Sequence, residues 1–376
     1  MRNRVFRKII DALKFIIPIS LYMKHYEKTH ADKYVSLMKE VDAPDYYIND
    51  PEVRRDYFQC LGKYGLPVKY YKELEFYEMR DDEARRDSYV FPGKLMSTWY
   101  GVNSGPSRKI LDDKLDFMKV FSDYINREWL YVKEASFKEF KSFMTKHGKV
   151  IVKHTTGSGG KGIHLFEYNN QSEEDLKKTY DEYCGDDSIL EELIAQKGIL
   201  HDLNPDSVNC VRICTMRFKD HVEIFQCFLK MGKGKVCVDN ASQGGLFAPI
   251  DIETGVISRV PYGCLWSEYP IHPVSGIEVK GIQIPCWDKV KQTVLQASEK
   301  VPDLIYVSWD VAISDDGQIY IVEGNSCGDG MWLKEGGDWP RFVRAMKSRG
   351  VYLKYRLTYN YAIKYRADEV MSYMFL

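Results

Sequence analysis

The distribution of apolar and polar positions divides the chain into two parts of different character. Residues 1 to about 105 have the pattern of successive helices and are rich in Lys, Asp and Tyr. From residue 107 onward, short apolar runs typical of strands alternate with amphipathic segments. Pro, Gly and Ser residues from position 91 mark the connection. The pattern predicts a mostly helical N-terminal region joined to a mixed region of helices and strands.

Individual elements follow from the same pattern in the mixed region. Helices are predicted over residues 111–127, 136–147, 172–184, 287–301 and 339–348. Strands are predicted over residues 150–152, 163–168, 189–193, 211–218, 222–229 and 236–238, with a hairpin over 304–324. The stretch from residue 349 interleaves Tyr with Lys and Arg, which favours an amphipathic helix packed on the body of the protein. A stripe that contacts RNA or lipid is the alternative.

Composition and charge restrict the class of protein. Of the 376 residues, 44% are hydrophobic and 28% are charged, which is ordinary for a globular protein of two or three domains. The formal net charge of −1 gives no overall attraction to nucleic acid, so no nucleic-acid partner is predicted. Nine Cys residues without a C-x-x-C pair are typical of buried thiols in a reducing cytoplasm, and a cytoplasmic location is predicted.

The first residues combine basic and apolar positions in a helical pattern. The apolar positions are Ile9, Ile10, Leu13, Ile16 and Ile17, with Arg and Lys residues between them. The apolar run from residue 15 to 23 contains Pro18 and is too short to span a bilayer. We predict a helix that packs on its own domain; peripheral contact with a membrane surface is the alternative.

Residues 152–166, VKHTTGSGGKGIHLF, contain four glycines within six positions. Gly157-x-Gly159-x-x-Gly162 matches dinucleotide-binding and protein-kinase patterns, but a strand pattern follows it and the other kinase motifs are missing from the sequence. The Walker pattern is excluded because Ile163 follows Gly162. The remaining interpretation is a hairpin loop whose backbone N–H groups cover phosphates. Lys153 and the hydroxyls of Thr155, Thr156 and Ser158 would add donors, and a flexible turn is the alternative.

A second hairpin, LIYVSWDVAISDDGQIYIVEGN over residues 304–325, carries acidic residues. Asp316-Gly317 is the signal of a two-residue turn, which would place Asp310 directly opposite Glu323 and Asn325 on the same face. Facing carboxylates destabilise a sheet unless a cation lies between them, and Mg²⁺ prefers carboxylate and amide oxygens. These three residues therefore form a predicted magnesium site; a face of solvated acids is the alternative.

In this order the motifs resemble the ATP-grasp superfamily. Lys153 with its glycine loop, ILEELIAQ, NCVRICT and the Asp–Glu–Asn hairpin are similar to those of D-alanine–D-alanine ligase, glutathione synthetase and tubulin–tyrosine ligase. More narrowly, ILDDKLDF, VDNASQGGLFAPID, HPVSG and IPCWD resemble the sugar-transfer-associated branch, which occurs with bacterial surface-polysaccharide genes. The resemblance covers about residues 95–345 and implies an α+β fold in which two α/β subdomains grip ATP between antiparallel sheets.

The resemblance also implies a division of the chain. A helical, substrate-facing region (1–105) precedes a first subdomain with the glycine loop (106–190), a second with the metal hairpin (191–348), and an amphipathic tail (349–376). Lys114 and Lys153 resemble two phosphate-contacting lysines, and Arg212 resembles the arginine that clamps the γ-phosphate and the developing acyl phosphate. A guanidinium suits that role because it binds two oxygens at once and stays charged.

The remaining implied contacts are to the nucleotide and to metal. The hinge around Glu191, Glu192 and Ile194 would read the adenine edge, and Gln196 would contact the ribose. The nucleotide-binding set further includes Thr155, Thr156, Gly157, Ser158, Gly159, Gly160, Gly162, Lys230 and Asn240. Asp310, Glu323 and Asn325 resemble the ligands of two Mg²⁺ ions. His272, in a loop, is a candidate contact for the second substrate.

The expected activity is that of an ATP- and Mg²⁺-dependent ligase, which activates a carboxylate as an acyl phosphate and joins it to an amine or thiol. The resemblance implies that small-molecule or glycan-linked substrates are joined in surface-polysaccharide modification. Two alternatives remain open at this point. One is a kinase of the same fold that phosphorylates a sugar or alcohol, and the other is a nucleotide-binding regulator without turnover.

Overall fold

A computed structural model describes residues 17–157, 162–169, 171–234, 244–263, 267–314, 316–328 and 337–372. The chain divides into two compact units. The first contains Met1–Ser104, Arg217–His221 and Trp332–Leu376, and the second contains Gly105–Met216 and Val222–Met331. The boundary between the units after Ser104 lies close to the change of pattern near residue 105. The four-part division differs from this result: residues 349–376 belong to the first unit, and both predicted subdomains, up to residue 331, lie in the second.

Fifteen helices lie within the described residues. They are α1 (Ile19–Glu40), α2 (Asp45–Asn49), α3 (Pro51–Tyr64), α4 (Val68–Glu73), α5 (Glu83–Ser88), α6 (Pro92–Gly101), α7 (Ser107–Asp112), α8 (Lys114–Val120), α9 (Ser122–Ile125), α10 (Phe137–His147), α11 (Glu173–Gly185), α12 (Gly198–Leu203), α13 (Trp287–Ser298), α14 (Trp339–Ser348) and α15 (Tyr352–Met371). The strands are β1 (Trp129–Tyr131), β2 (Lys149–His154), β3 (His164–Glu167), β4 (Ser188–Glu192), β5 (Val211–Arg217), β6 (Val222–Met231), β7 (Leu246–Pro249), β8 (Tyr306–Ile313) and β9 (Ile319–Asn325).

The described part of the first unit is helical, as predicted, and its core is aromatic. Fully buried rings include those of Tyr34, Tyr57, Tyr71 and Phe76. Tyr57 and Tyr71 meet edge to face, with centroids 5.2 Å apart, which is a favoured aromatic geometry. The C-terminal helix α15 packs against α6 within this unit, so the interpretation of the tail as a docked helix is confirmed.

Two antiparallel sheets form the second unit. The first has the strand order β1-β4-β2-β3, and the second has the order β7-β6-β5-β8-β9. Helices α10 and α11 begin at Ser136 and Ser172, whose hydroxyls accept from the backbone N–H groups of Glu139 and Asp175. The α+β class expected from the resemblance is confirmed.

The predicted helix over residues 111–127 is wrong. This stretch contains three short helices, the last residues of α7 followed by α8 and α9. Asp113 has extended backbone angles and its carboxylate accepts from the N–H of Asp116 at 2.9 Å, so it ends one helix and caps the next. The predicted strand at 236–238 and the N-terminal helix up to residue 16 lie outside the described residues.

Two further properties concern the chain as a whole. Among the helices that the structure describes, none combines the length and the apolar character needed to cross a membrane. The cysteines in the described ranges form no disulfide, in agreement with their number and spacing.

Substitution of Gly93 tests the close packing of the first unit. The N–H of Gly93 donates to the carbonyl oxygen of Gly65 at 3.2 Å, and a Cβ on Gly93 would lie 2.6 Å from the Gly65 Cα. Because backbone cannot rotate away as a side chain does, we expect Gly93→Ala to lower the free energy of unfolding by about 1–3 kcal/mol. Urea unfolding measures this loss.

Gly185→Ala is the control for this measurement, because a Cβ at Gly185 would meet nothing within 4 Å. The control should unfold at the urea concentration of the parent or slightly above it. Equal stability of Gly93→Ala and the parent would show that the two backbones do not approach as described.

Candidate active site

The acidic hairpin places Asp310 of β8 opposite Glu323 of β9, as predicted. The predicted turn is nevertheless wrong. Ile313 pairs with Ile319 and the N–H of Gly317 donates to the carbonyl oxygen of Ser314, so the loop has one residue more than the two-residue turn. Gly317 has a φ of +76°, a backbone conformation that glycine adopts without strain.

A β-bulge at Val322 compensates for the longer turn. Ile321 pairs with Val311 and Glu323 pairs with Asp310, which leaves Val322 as an extra residue in β9. Without it, the alternation of a strand would turn Glu323 toward the same face as the buried Ile321. With it, Glu323 turns away from the face of Ile321. Asn325, two residues further on, shares the face of Glu323, and its Nδ2 donates to the Glu323 Oε1 at 3.0 Å.

Asp310 is the buried centre of an ionic cluster. Only 3% of the residue is exposed. Arg212, opposite it on β5, donates from Nε to Oδ1 and from Nη2 to Oδ2, both at 2.7 Å, and the Lys230 Nζ on β6 donates to Oδ2 at 3.0 Å. Burial alone would raise the pKa of Asp310, but Arg212 and Lys230 hold that pKa well below its usual value.

Glu323 has the opposite electrostatic character. Its side chain is 45% exposed, but its carboxyl group lies beside Asp310 and 4.0 Å from the Arg212 Nη2. Desolvation within the cluster, and then the charge of Asp310, raise the pKa of Glu323. The two carboxylates therefore repel each other, and a divalent cation would relieve this repulsion.

The donor set of the hairpin fits Mg²⁺. It consists of oxygen donors from Asp310, Glu323 and Asn325, which is the ligand type that this ion prefers. The Asp310 Oδ1 accepts from the Arg212 Nε, and a carboxylate oxygen has two lone pairs and can take a further partner. No group of three His, Cys, Asp or Glu with metal-binding geometry occurs in the described ranges. The amide oxygen of Asn325 is the third donor of the hairpin.

The two predicted phosphate lysines lie beside the glycine loop. Lys114 begins α8; its N–H donates to the carbonyl oxygen of Thr155 at 2.9 Å, and its Nζ donates to that of Gly157 at 2.8 Å. Burial lowers the pKa of Lys114, and the charge of Glu323 opposes this shift. Lys153, on β2, donates to the Glu191 Oε2 at 3.0 Å. Lys114 is therefore within electrostatic reach of the metal hairpin.

Only part of the glycine loop is described. Ser158, Gly159, Gly160 and the predicted contact Asn240 lie outside the described residues. Thr155 is buried at the start of the loop, whereas Thr156 and Gly157 are exposed. Gly162 has a φ of +76°, and a Cβ there would lie 2.6 Å from the His154 ring, so this position requires glycine. The phosphate-covering role of the loop stays a prediction.

Glu191 has a role that sequence reasoning missed. Its carboxylate is buried and accepts from Lys153 and from Arg127, the latter at 2.8 Å. Burial would raise the pKa of Glu191, but Arg127 and then Lys153 lower it to about 2. Its side chain therefore holds Lys153 in place, while the predicted adenine contact concerned only its backbone.

Arg127 was not a candidate from the sequence, although it joins the two sheets. Its Nη1 donates to the carbonyl oxygen of Ile321 at 3.3 Å, and its Nη2 to that of Val322, the bulged residue, at 3.5 Å. No local signal marks it, because its partner Glu191 is 64 residues away and Ile321 is 194 residues away. Only the fold brings these groups together.

The other hinge residues differ in position. The N–H of Glu192 donates to the carbonyl oxygen of Glu128 at 2.9 Å, and Ile194 lies half-buried beyond the end of β4. Their adenine contacts stay predictions. The ribose contact of Gln196 stays a prediction too. In the structure its Nε2 donates to the carbonyl oxygens of Asn209 and Ile313, and its Oε1 accepts from the N–H of Asn209. This buried amide connects backbone segments of the unit.

His272 is also structural, and its interpretation as a substrate contact is wrong. The side chain is fully buried, and its Nε2 lies 2.9 Å from the carbonyl oxygen of Gly232. The Nδ1 accepts from the N–H groups of Val274 and Ser275, both at 3.4 Å. Burial lowers the pKa of this imidazole, in keeping with a neutral ring that fixes a turn.

Comparison with known families gives one match over most of the chain. The family described as sugar-transfer associated ATP-grasp matches residues 99–336. No curated protein matches the chain.

Solved structures give distant similarities. N5-carboxyaminoimidazole synthetase from Staphylococcus aureus, complexed with ADP, is 14% identical, with 59% of this chain and 46% of that chain covered and a TM-score of 0.38. The ATP-grasp ligase PsnB, complexed with minimal precursor, Mg and ADP, is 13% identical, with coverage of 68% and 62% and a TM-score of 0.37. D-alanyl-alanine synthetase A from Vibrio cholerae is 13% identical, with coverage of 68% and 67% and a TM-score of 0.37. The chain spans about half the length of the first of these.

Acid titration of stability tests the buried Glu191. A carboxyl group whose pKa is lowered by folding stabilises the folded chain above its ordinary pKa of 4.5, and this stabilisation is lost as the pH falls toward about 2. Glu191→Gln leaves Arg127 and Lys153 without their counter-charge, so we expect a loss of about 3–5 kcal/mol at pH 7. Thermal unfolding between pH 7 and pH 3 measures this loss. The difference in stability between Glu191→Gln and the parent should become smaller below pH 4.5.

The matched control for this titration is Glu182→Gln, which changes an exposed carboxyl group on α11. The control should follow the parent at every pH. A Glu191→Gln variant as stable as the parent at pH 7 would contradict the ionic role of Glu191.

Replacement of Gln196 separates a structural role from a nucleotide contact. Gln196→Ala leaves the buried N–H of Asn209 without its partner, so we expect the free energy of unfolding to fall by about 1–3 kcal/mol. The affinity for ADP, measured by calorimetric titration, should be unchanged. If Gln196→Ala instead lost affinity for ADP and kept the stability of the parent, the side chain of Gln196 would be a ribose contact.

Proposed function

Because the chain belongs to the sugar-transfer associated ATP-grasp family, we propose that it is an ATP- and Mg²⁺-dependent ligase. In this reaction a carboxylate oxygen attacks the γ-phosphorus of ATP, which releases ADP and forms an acyl phosphate. An amine or thiol then attacks the acyl carbon, and inorganic phosphate leaves. The observation that carries the proposal is the arrangement of Lys114, Lys153 and Arg212 with the Asp–Glu–Asn hairpin in one compact unit.

Charge balance supports a polyphosphate ligand. The interacting side chains include five cations, Lys114, Arg127, Lys153, Arg212 and Lys230, and three carboxylates, Glu191, Asp310 and Glu323. The positive surplus is suited to phosphate oxygens, and the partly buried setting strengthens each contact relative to water.

Arg212 is oriented for the transferring group. Its contacts to Asp310 use Nε and one hydrogen of Nη2, so the N–H groups of Nη1 are not used by these contacts. The buried carboxylate fixes the plane of the guanidinium, which removes much of the entropy cost of ordering a long side chain. Arg212 then donates to the γ-phosphoryl oxygens, where negative charge is redistributed during transfer.

The lysines act from the other sheet and from helix α8: Lys153 lies on β2, and Lys114 begins α8. Glu191 accepts one N–H of Lys153 and leaves further N–H donors for a phosphate oxygen. Lys114 fixes the start of the glycine loop through the carbonyl oxygen of Gly157. Together these contacts position the two lysine ammonium groups, which would donate hydrogen bonds to phosphate oxygens, before ATP binds.

Three residues would hold Mg²⁺: Asp310 through its Oδ1, Glu323 and Asn325. When bound there, the ion supplies positive charge to the phosphate oxygens. Asp310 would thus serve both the ion and Arg212, which ties the position of the clamp to that of the metal.

The setting that we propose is the modification of a surface polysaccharide. The substrates would be small-molecule or glycan-linked carboxylates and amines, handled in the cytoplasm or at a membrane surface. Support comes from the description of the family, which associates it with sugar transfer.

Phosphorus NMR tests the proposed reaction. The full chain is incubated with ATP, Mg²⁺ and pooled amino acids and sugar acids. We expect ADP and inorganic phosphate, formed only when both a carboxylate and an amine or thiol are present. Glu323→Gln should slow this turnover by about 10²-fold or more, because the hairpin loses a charged metal ligand.

Glu278→Gln is the matched control, since Glu278 is exposed and outside the cluster, and it should turn over like the parent. A stable phosphoester instead of phosphate would make the protein a kinase. Bound but unchanged ATP with every substrate pair would favour a regulator, and full activity of Glu323→Gln would refute the metal assignment.

A further inference from the structure

The first unit contains a cleft. Among the described residues, those discussed above as nucleotide or metal contacts do not line it. Its cavity volume is about 1510 Å³, and it lies between α1, α3, α14 and α15. All of its lining residues belong to the first unit. Ligand pockets commonly have volumes of about 300–1,000 Å³, so this cleft has room for an extended ligand.

Aromatic rings form much of the wall of the cleft. Trp339, Tyr352 and Tyr355 are clustered there, with centroids 5.2 Å apart for Trp339 and Tyr355 and 5.8 Å apart for Tyr352 and Tyr355. Tyr359 is held by a hydrogen bond from its hydroxyl to the carbonyl oxygen of Gly62 at 3.1 Å. A wall of fixed rings suits a flat ligand with an apolar face and polar edges.

Several cations surround these rings. Lys24, Lys28, Arg55 and Arg356 line the cleft, are exposed, and form no ion pair within the part of the chain that the structure describes. Arg54 and Lys63, also at the cleft, differ because Glu27 lies 3.6 Å from the Arg54 Nε and Asp87 lies 2.8 Å from the Lys63 Nζ. The cleft thus has a surplus of positive charge that its own carboxylates do not balance.

One further cation is buried at the cleft. Lys94 is only 4% exposed, and its Nζ donates to the carbonyl oxygen of Tyr89 at 2.7 Å and lies 4.7 Å from the Trp339 ring centroid. No carboxylate lies within ion-pair distance of it in the described ranges, and burial lowers its pKa to about 7. Because this pKa lies near neutral pH, Lys94 is only partly charged at pH 7, and the exposed cations carry most of the positive charge of the cleft.

We propose that this cleft binds an anionic sugar, a saccharide that carries a phosphate or carboxylate group. The ring of the sugar would pack on the aromatic wall, and its anionic group would pair with Arg55 and Arg356. The amides of Gln59 and Asn360, which also line the cleft, are donors and acceptors for hydroxyl groups. This inference does not depend on the proposed ligase reaction, because the binding is measured without turnover.

Calorimetric titration of the full chain with glucose 1-phosphate tests the inference. We expect binding that persists when ADP saturates the protein and that exceeds the binding of both glucose and inorganic phosphate. The double variant Arg55→Glu/Arg356→Glu should weaken the affinity by about tenfold or more, because two attractive charges become repulsive. Trp339→Ala should weaken it as well, whereas Trp339→Phe should retain most of it.

The matched control is Arg85→Glu, which reverses an exposed charge of the same unit away from the cleft and should bind like the parent. Absence of binding, competition with ADP, equal affinity for inorganic phosphate or glucose, or full affinity in the double variant would each overturn the proposal.

A second experiment measures binding of the protein to vesicles of phosphatidylglycerol. If they bind the protein through Arg55 and Arg356 and glucose 1-phosphate does not, the cleft is a lipid-headgroup site and the proposal is wrong.

Discussion

The buried charge of Asp310 is the constraint on which the second unit depends. A carboxylate removed from water loses several kcal/mol of hydration, and only well-placed cations offset that loss. Arg212 and Lys230 provide them from the two strands β5 and β6, while Asp310 itself lies on β8. Three strands of one sheet must therefore keep their register for the charges to meet, and the same register places Glu323 and Asn325 beside the cluster.

A second buried ionic group connects the other sheet to this cluster. Glu191 binds Lys153 on its own sheet and Arg127, which in turn donates to the carbonyl oxygens at the bulge of β9. These bonds stabilise an irregular strand at the point where regular pairing is interrupted. The position of Lys153 and the shape of the acidic hairpin are thereby linked through one carboxylate. Buried carboxylates thus position donors on both sheets of the unit.

The first unit is built on a different principle. Its core consists largely of aromatic rings packed edge to face, and backbone approaches such as that of Gly65 and Gly93 allow its helices to come close. Such a core buries much apolar area, so few ionic contacts are needed inside it. One ion pair does lie in this core, because the buried Arg86 donates to both carboxylate oxygens of Asp56. Lys94 is a buried cation at the cleft.

Local patterns in the sequence determined most helices, most strands and the resemblance to the family, because capping and periodicity are short-range properties. The pairing of Asp310 with Glu323 was predicted from a two-residue turn, but in the structure it depends on a longer turn and a bulge. The break of the helix at Asp113 also has a local cause, since Asp113 caps the helix that follows it. The apolar pattern continues through this position, however, and a single helix was predicted from it. Only the tertiary structure decided the bulge at Val322, the burial of Gln196 and the role of Arg127, whose partners lie far away in the chain. Such contacts form when distant strands pair, so no local pattern predicts which buried charged groups will be partners.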